Sequence, residues 1–241
     1  MSDVTVTLCS QTGTIGRQEL ALVPYPNSTL THKVVPHHEV VNALVETLGF
    51  RHIGVVKDQY AVSKDGMKLF GTMELETTSH GVRFALGIRN SHDRSMSLGI
   101  TVGYKVLVCD NLSFWGDFTP VMKKHTKNFE LLPALAYGVD QMQRNFAPMV
   151  QDISRWQDSQ ITDVTARLLI YEAFIEGTMD IPRHLARPVH TAYFNPAHEE
   201  FAARSLWSLQ NAFTGTFKEL DPIPMVKATN ELSGWFAAKK L

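Results

Sequence analysis

The chain has 241 residues, of which 44% are hydrophobic and 20% charged, the composition of an ordinary globular protein. Its formal net charge of -1 excludes a protein that is basic throughout, so any nucleic-acid binding must rest on a local patch. Cys9 and Cys109 lie far apart without a CxxC motif, which excludes a disulfide framework or a cysteine metal cage. We expect a cytoplasmic protein without a membrane segment, because no basic signal region and no apolar run of about 18 residues occurs.

The N-terminal half predicts an arm, one helix and several strands. Residues 1–30 are rich in Thr, Gly, Pro and Ser and predict an extended arm. Apolar residues at helical spacing between Pro36 and Gly49 predict a short amphipathic helix. Alternating residues then predict strands over 53–57, 60–63 and 67–75, with a hairpin turn at Asp65 and Gly66.

The segment 81–111 predicts a central antiparallel hairpin, because two alternating runs flank a polar turn. One face of this hairpin carries bulky apolar residues. The other face carries glycine, alanine and the cations Arg83, Arg89 and Lys105, so a ligand can approach its backbone closely. The alternative is that a helix of the same chain packs on these small residues.

After an aromatic loop with Phe114, Trp115, Phe118 and Pro120 and a basic segment, the pattern becomes helical. A long helix from Leu131 or Leu132 is expected to kink at Pro148, and further helices are expected over 163–177, 196–220 and 225–240. The prediction is an α+β fold: an N-terminal helix, an antiparallel meander of four to five strands, a long kinked helix and a helical tail. We divide it into an arm (1–30), a core domain (31–160) and a C-terminal helical region packed on the core (161–241).

Catalytic motifs are missing from the sequence. It contains no GxSxG, HExxH or phosphate-binding glycine loop, so we predict no catalytic residue, no metal and no cofactor. His92 and Asp93 form either an acid–base pair beside Arg94, or part of a turn capped by its own polar side chains. His92, Asp93, Asp110 and His125 could together serve a metal-dependent hydrolase. This is one of three functional hypotheses, and the other two are given below.

The cations favour a polyanion as the ligand. We predict that phosphates are held by basic residues on the hairpin and ahead of the long helix, where helix N-terminal N–H groups also attract anions. Aromatic residues beside them are predicted to stack on bases. The predicted nucleic-acid-binding residues are Arg83, Arg89, Arg94, Lys105, Lys123, Lys124, Lys127, Phe114 and Trp115.

Three segments resemble the phage- and plasmid-associated family called domain of unknown function 932. They are NSHDRS at 90–95, GYKVLVCDNLSF at 103–114 and KKHTKN at 123–128. Arg94 stands where that family usually has glycine, Lys105 where it has arginine, and Asp110 where it has serine. A left-handed backbone would therefore be strained at Arg94.

The order of elements also resembles the phage single-strand annealing recombinases of the Red-beta and ERF type. This resemblance implies a non-enzymatic protein that binds single-stranded DNA and assembles into rings or filaments. Our first hypothesis is thus a non-catalytic, homo-oligomeric protein of a phage or plasmid that binds single-stranded nucleic acid. The alternative is a protein-binding module, such as an inhibitor of a host defence complex.

Overall fold

The computed structural model describes residues 14–120 and 130–239. Within these ranges the chain forms a six-stranded antiparallel sheet and six α-helices. The strands are β1 (Thr14–Ile15), β2 (Val55–Val62), β3 (Lys68–Ser79), β4 (Val82–Ser91), β5 (Gly99–Val106) and β6 (Leu112–Pro120). The helices are α1 (His37–Gly49), α2 (Leu131–Asp158), α3 (Asp163–Phe174), α4 (Ala186–Phe194), α5 (Leu206–Phe217) and α6 (Pro222–Ala238). The α+β class is confirmed, but the sheet has six strands rather than four to five.

The sheet is a meander in which the spatial order of the strands is their order along the chain. The predicted hairpin is the pair β4 and β5, in unbroken register from Val82 opposite Val106 to Arg89 opposite Gly99. Short connections from β2 through β6 permit only antiparallel neighbours, which explains the simple order of these five strands, whereas α1 lies in the long connection between β1 and β2.

Two strand predictions differ from the structure. The segments 53–57 and 60–63 were predicted as two strands, but Val55–Val62 form one continuous strand, β2. The aromatic segment expected to be a loop is strand β6, which pairs with β5. Aromatic residues favour strands, but Gly116 and Asp117 interrupt the alternation there, so periodicity alone did not predict a strand.

The helices pack on the bulky face of the hairpin. Phe84 of β4 stacks on Phe146 of α2 with ring centroids 4.4 Å apart. Gln210 of α5 donates a hydrogen bond of 2.7 Å from Nε2 to the hydroxyl of Tyr104 on β5. This face therefore holds the core between sheet and helices.

Helix α6 covers the outer edge of β6. The Phe114 N–H donates to Thr229 Oγ1 (3.2 Å), and Ser233 Oγ donates to the Phe114 carbonyl oxygen (3.2 Å). Thr229 and Ser233 are one helical turn apart, so together they satisfy both backbone groups of one edge residue. The helix thereby takes the place of a seventh strand at this position, which protects the edge from pairing with another chain.

The C-terminal helices agree with the prediction in part. Helix α2 begins at Leu131 and continues through Pro148. The segment expected to be helical from 196 becomes α5 only at Leu206, after the Ser205 side chain caps the helix by accepting from Ser208 N–H. Helix α4 was not predicted, because a proline such as Pro188 ordinarily interrupts a helix. Pro188 lies in the first turn of α4, where its missing N–H costs nothing.

Helix α3 presents an unexpected face to solvent. Val164, Leu168, Tyr171 and Ile175 form an apolar row at helical spacing, the pattern of a buried face, but this row is exposed. The core is instead contacted by a second apolar set, which comprises Ala166, Leu169, Ile170, Ala173 and Phe174.

In the part of the chain that the structure describes, no helix is both long enough and apolar enough to span a lipid bilayer.

Candidate functional site

The face of the sheet opposite the helices carries a cluster of cations. Directly paired residues of antiparallel strands point to the same side. Lys57 is paired with Glu74, Glu74 with Ala85, and Arg83 with Lys105, so these side chains share the small-residue face of the hairpin. The alternation of β3 places Lys68 on the same side as Phe70, which pairs with Arg89. We call this surface the cationic face, and its charged residues are Lys57, Lys68, Arg83, Arg89, Lys105 and Glu74.

Two of the predicted phosphate-binding residues form ion pairs within the chain. Lys105 Nζ lies 2.8 Å from Glu74 Oε1 and 2.8 Å from Asp110 Oδ1, and Arg83 Nε lies 3.9 Å from Glu74 Oε2. Burial of Lys105 lowers its pKa, but the hydrogen bonds to Asp110 and Glu74 outweigh burial and raise the pKa above its ordinary value. Lys105 therefore stays charged, with part of its charge neutralised by its neighbours.

Arg89 and Arg94 also make contacts within the chain. Arg89 Nη2 lies 3.5 Å from Ser97 Oγ, and Arg94, which is exposed, donates to Thr29 Oγ1 at 3.0 Å. Lys57 and Lys68 are also exposed. Sequence analysis did not single them out, because only the register of β2 and β3 places them beside the hairpin cations.

The glycines of this face accommodate a side chain of the same protein. A Cβ atom at Gly87 would lie 2.7 Å from the Phe114 ring, and one at Gly103 would lie 2.9 Å from that ring and 2.4 Å from the Ser113 carbonyl oxygen. Phe114 is 1% exposed. The prediction that Phe114 stacks on bases is therefore wrong, because its ring packs on the bare backbone of β4 and β5.

Trp115 also has a structural role. It follows Phe114 in β6 and points to the opposite face, where its ring N–H donates to Asp152 Oδ2 of α2 at 3.2 Å. The half-buried indole thus anchors the edge strand to the long helix, in place of the predicted contact with a base. The predicted residues Lys123, Lys124, His125 and Lys127 lie outside the described residues.

The NSHDRS segment forms a turn capped by its own side chains. Ser91 Oγ donates to the Met96 carbonyl (2.8 Å) and accepts from the Met96 N–H (3.2 Å), while Asp93 Oδ1 accepts from the Ser95 N–H (2.9 Å). Arg94 adopts φ +64° in the left-handed region, which costs a residue with a Cβ atom about 1–2 kcal/mol. The structural interpretation of this turn is supported.

Beneath the turn, two histidines stack on each other. The rings of His37 and His92 lie 3.7 Å apart and are nearly parallel. Asn90 Nδ2 donates to the Val35 carbonyl and to His37 Nδ1, both at 3.0 Å, while His37 Nε2 lies 3.1 Å from the Gly66 carbonyl. Because the Val35 carbonyl fixes the orientation of the amide, His37 Nδ1 is the acceptor of the Asn90 bond, and the Nε2 N–H faces the Gly66 carbonyl.

His92 does not form the predicted acid–base pair with Asp93. It is 2% exposed, and neither ring nitrogen makes a hydrogen bond among the described residues, whereas Asp93 is exposed. Burial lowers the pKa of His92, and the nearby carbonyls of Gly66 and Val35 oppose this only in part. The imidazole is therefore neutral near pH 7.

Metal and thiol chemistry receive no geometric support in the described ranges. Groups of three or more His, Cys, Asp or Glu side chains suited to a metal ion do not occur there. Burial raises the pKa of Cys109, which disfavours its reactive thiolate form.

Fold and site together define an α+β protein with an antiparallel meander, helices on one face of its sheet and cations on the other. The chain matches the family model described as domain of unknown function (DUF932) over residues 29–233, and it belongs to that family. Neither the curated proteins nor the solved structures gave a match. The distant resemblance to annealing recombinases remains a prediction.

Proposed function

We propose that this protein binds single-stranded nucleic acid, without catalysis, along the cationic face. The observation that carries this proposal is the collection of five cationic side chains around Glu74 on the sheet face opposite the helices, with Asp110 beside Lys105 as the second carboxylate. In a chain of net charge -1 this is a local excess of positive charge. Phosphate contacts of Lys and Arg supply most sequence-independent affinity for nucleic acid.

The exposed cations are the first to meet a phosphate backbone. Lys57 on β2 and Lys68 on β3 are exposed, and neither forms an ion pair with another described residue. Arg94, in the turn after β4, is exposed as well. From β2 to β5 the face spans three strand spacings, or about 14 Å. Contact with about three phosphates would give a salt dependence of log affinity with a slope near -2 for a single strand.

The test is titration of a fluorescently labelled single-stranded oligonucleotide at increasing salt. The double variant Lys57→Glu/Lys68→Glu should bind at least about tenfold more weakly and show a shallower salt slope. The matched control, Arg144→Glu/Arg187→Glu, makes the same charge change at exposed positions on α2 and α4. The proposal is overturned if the affinity changes neither with salt concentration nor in the Lys57→Glu/Lys68→Glu variant.

A protein-binding module is the second candidate, and one observation favours it. Glu74 and Asp110 partly neutralise Arg83 and Lys105, which reduces the charge that these residues offer to a polyanion. Purification of the tagged protein from host lysate, with and without nuclease, separates the candidates. A stoichiometric partner that survives nuclease and high salt favours the protein-binding module, whereas loss of all partners on nuclease treatment favours nucleic acid.

A further inference from the structure

Helix α3 carries apolar residues on two sides, and only one side meets the core. The solvent side exposes 73% of Val164, 52% of Leu168, 50% of Tyr171 and 50% of Ile175. We call these four residues the α3 stripe. Single exposed apolar residues are normal on protein surfaces, but a contiguous apolar row marks an interaction surface.

The spacing of the α3 stripe indicates what kind of element it contacts. Its members follow one another at intervals of four, three and four residues along α3 and its C-cap. At 3.6 residues per turn these positions form one row on one side of the helix. The same intervals occur at the positions through which one helix packs against another. The α3 stripe is therefore suited to a partner helix that lies along it.

Three of the charges beside the α3 stripe are engaged within the chain, whereas Glu176, next to Ile175, is exposed. Asp163 forms an ion pair with Arg204 (Nε to Oδ1, 3.1 Å), and Glu172 forms one with Lys239. The Arg167 guanidinium lies over the Phe194 ring, 4.6 Å from its centroid. A strongly charged partner, or an anionic membrane surface that needs free flanking cations, gains little here. The surroundings favour a partner that is itself close to neutral.

We infer that the occupant of the α3 stripe is the same stripe of a second copy of this chain, related by a two-fold axis. A two-fold interface brings one patch against its own copy. With the helices antiparallel and centred between residues 169 and 170, Val164 faces Ile175 of the other copy and Leu168 faces Tyr171. A chain of net charge -1 exerts little repulsion on its copy.

The size of the α3 stripe limits the strength of this dimer. Exposed apolar patches of about 300–600 Å² are the largest on typical monomers. A standard stable interface buries about 800 Å² on each partner. Four side chains thus supply the centre of an interface and not the whole of it, so we expect a dimer that dissociates on dilution. This dimer does not depend on nucleic-acid binding.

The test is sedimentation velocity of the nuclease-treated full chain over about a hundredfold range of concentration. Wild type should shift from monomer to dimer, whereas Leu168→Glu/Tyr171→Glu should raise the dimer Kd at least about tenfold. Both positions are exposed, so an unchanged melting temperature shows that this variant still folds. The Lys57→Glu/Lys68→Glu variant should dimerise like wild type, which separates this inference from the proposed function.

Three results overturn the inference. The first is a wild type that stays monomeric throughout the range. The second is a double variant that dimerises like wild type. The third is a monomer that binds lipid vesicles through Leu168 and Tyr171, because the α3 stripe would then serve a membrane. A cross-link between copies of a Leu168→Cys/Tyr171→Cys variant, formed by a short bis-maleimide and absent from wild type, supports the antiparallel pairing directly.

Discussion

The two faces of the β4–β5 hairpin share one backbone but differ in how they are filled. The helical face holds bulky side chains such as Leu86 and Tyr104 against α2 and α5. The cationic face has glycines at Gly87 and Gly103, and the ring of Phe114 fits into the space that they leave. Stability therefore depends on large side chains on the helical face and on small residues on the cationic face. Substitution by a smaller residue should destabilise the helical face, and substitution by a larger residue should destabilise the cationic face.

On the helical face, loss of volume should have the largest effect. Leu86 is fully buried, so Leu86→Ala leaves a cavity and should lower the free energy of unfolding by about 2–5 kcal/mol. Urea denaturation measures the change. Leu107→Ala is the matched control, because Leu107 is 48% exposed and its truncation should stay within about 0.5 kcal/mol of wild type. Equal losses in both variants would contradict the assignment of this face to the core.

On the cationic face, a gain of volume should be the damaging change. The added methyl group of Gly103→Ala would meet the Ser113 carbonyl oxygen at 2.4 Å, and we expect a loss of about 1–3 kcal/mol in urea. Gly49→Ala is the control, because no heavy atom lies within 4 Å of its added Cβ. At this helix end alanine should be neutral or stabilising by about 0.5 kcal/mol. Wild-type stability of Gly103→Ala would show that β6 does not pack tightly on β5.

The sequence predicted the local features of this comparison. Alternation within 81–111 assigned Arg83, Arg89 and Lys105 to one face, and the β4–β5 register places them there. Asp65 and Gly66 lie between β2 and β3 as predicted, and Gly49 ends α1. Such features depend on residues close together in the chain, for which periodicity and turn chemistry suffice.

What the sequence did not predict depends on the pairing of distant segments. The burial of Phe114 follows from its pairing with Gly103, and the stacking of His92 on His37 brings α1 to the end of β4. For α3 the sequence contains two apolar rows, and local pattern cannot decide which row meets the core. Which row is buried is determined by the packing of α3 against the rest of the chain.

Glu74, which contacts two cations of the cationic face, offers a finer test of its charge. Glu74→Gln keeps the shape of the side chain but removes the charge that holds Lys105 and Arg83. We expect a stability loss of about 1 kcal/mol, because the pair is only partly buried. The affinity for a single-stranded oligonucleotide should rise, because Arg83 loses its carboxylate partner and Lys105 keeps only Asp110.

The control for Glu74→Gln is Glu46→Gln, the same charge change at an exposed position on α1. Its oligonucleotide affinity should stay close to that of wild type at moderate salt, since charges beyond the Debye length are screened. Equal affinity gains in the two variants would mean that total charge, and not the cationic face, governs binding.

The smallest expected effect concerns the polar end of the helical face, where Asn90 and the buried His92 follow the apolar residues of β4. Burial lowers the pKa of His92 in the folded chain, whereas an unfolded histidine titrates near pH 6.5. Below about pH 6.5 the unfolded chain binds a proton that the folded chain does not, so stability falls as the pH decreases. At higher pH both states are neutral and the contribution is complete.

Comparison of wild type with His92→Phe isolates this contribution, because phenylalanine keeps a ring against His37 and does not titrate. Between pH 7 and pH 5 the unfolding free energy of wild type should fall more than that of the variant. The carboxylates, and the neighbouring His32, His38 and Tyr25, are common to both chains. His184→Gln, at an exposed position, should follow wild type. If the wild-type and His92→Phe curves run parallel, His92 titrates alike in both states, and the end of the helical face is open to protons.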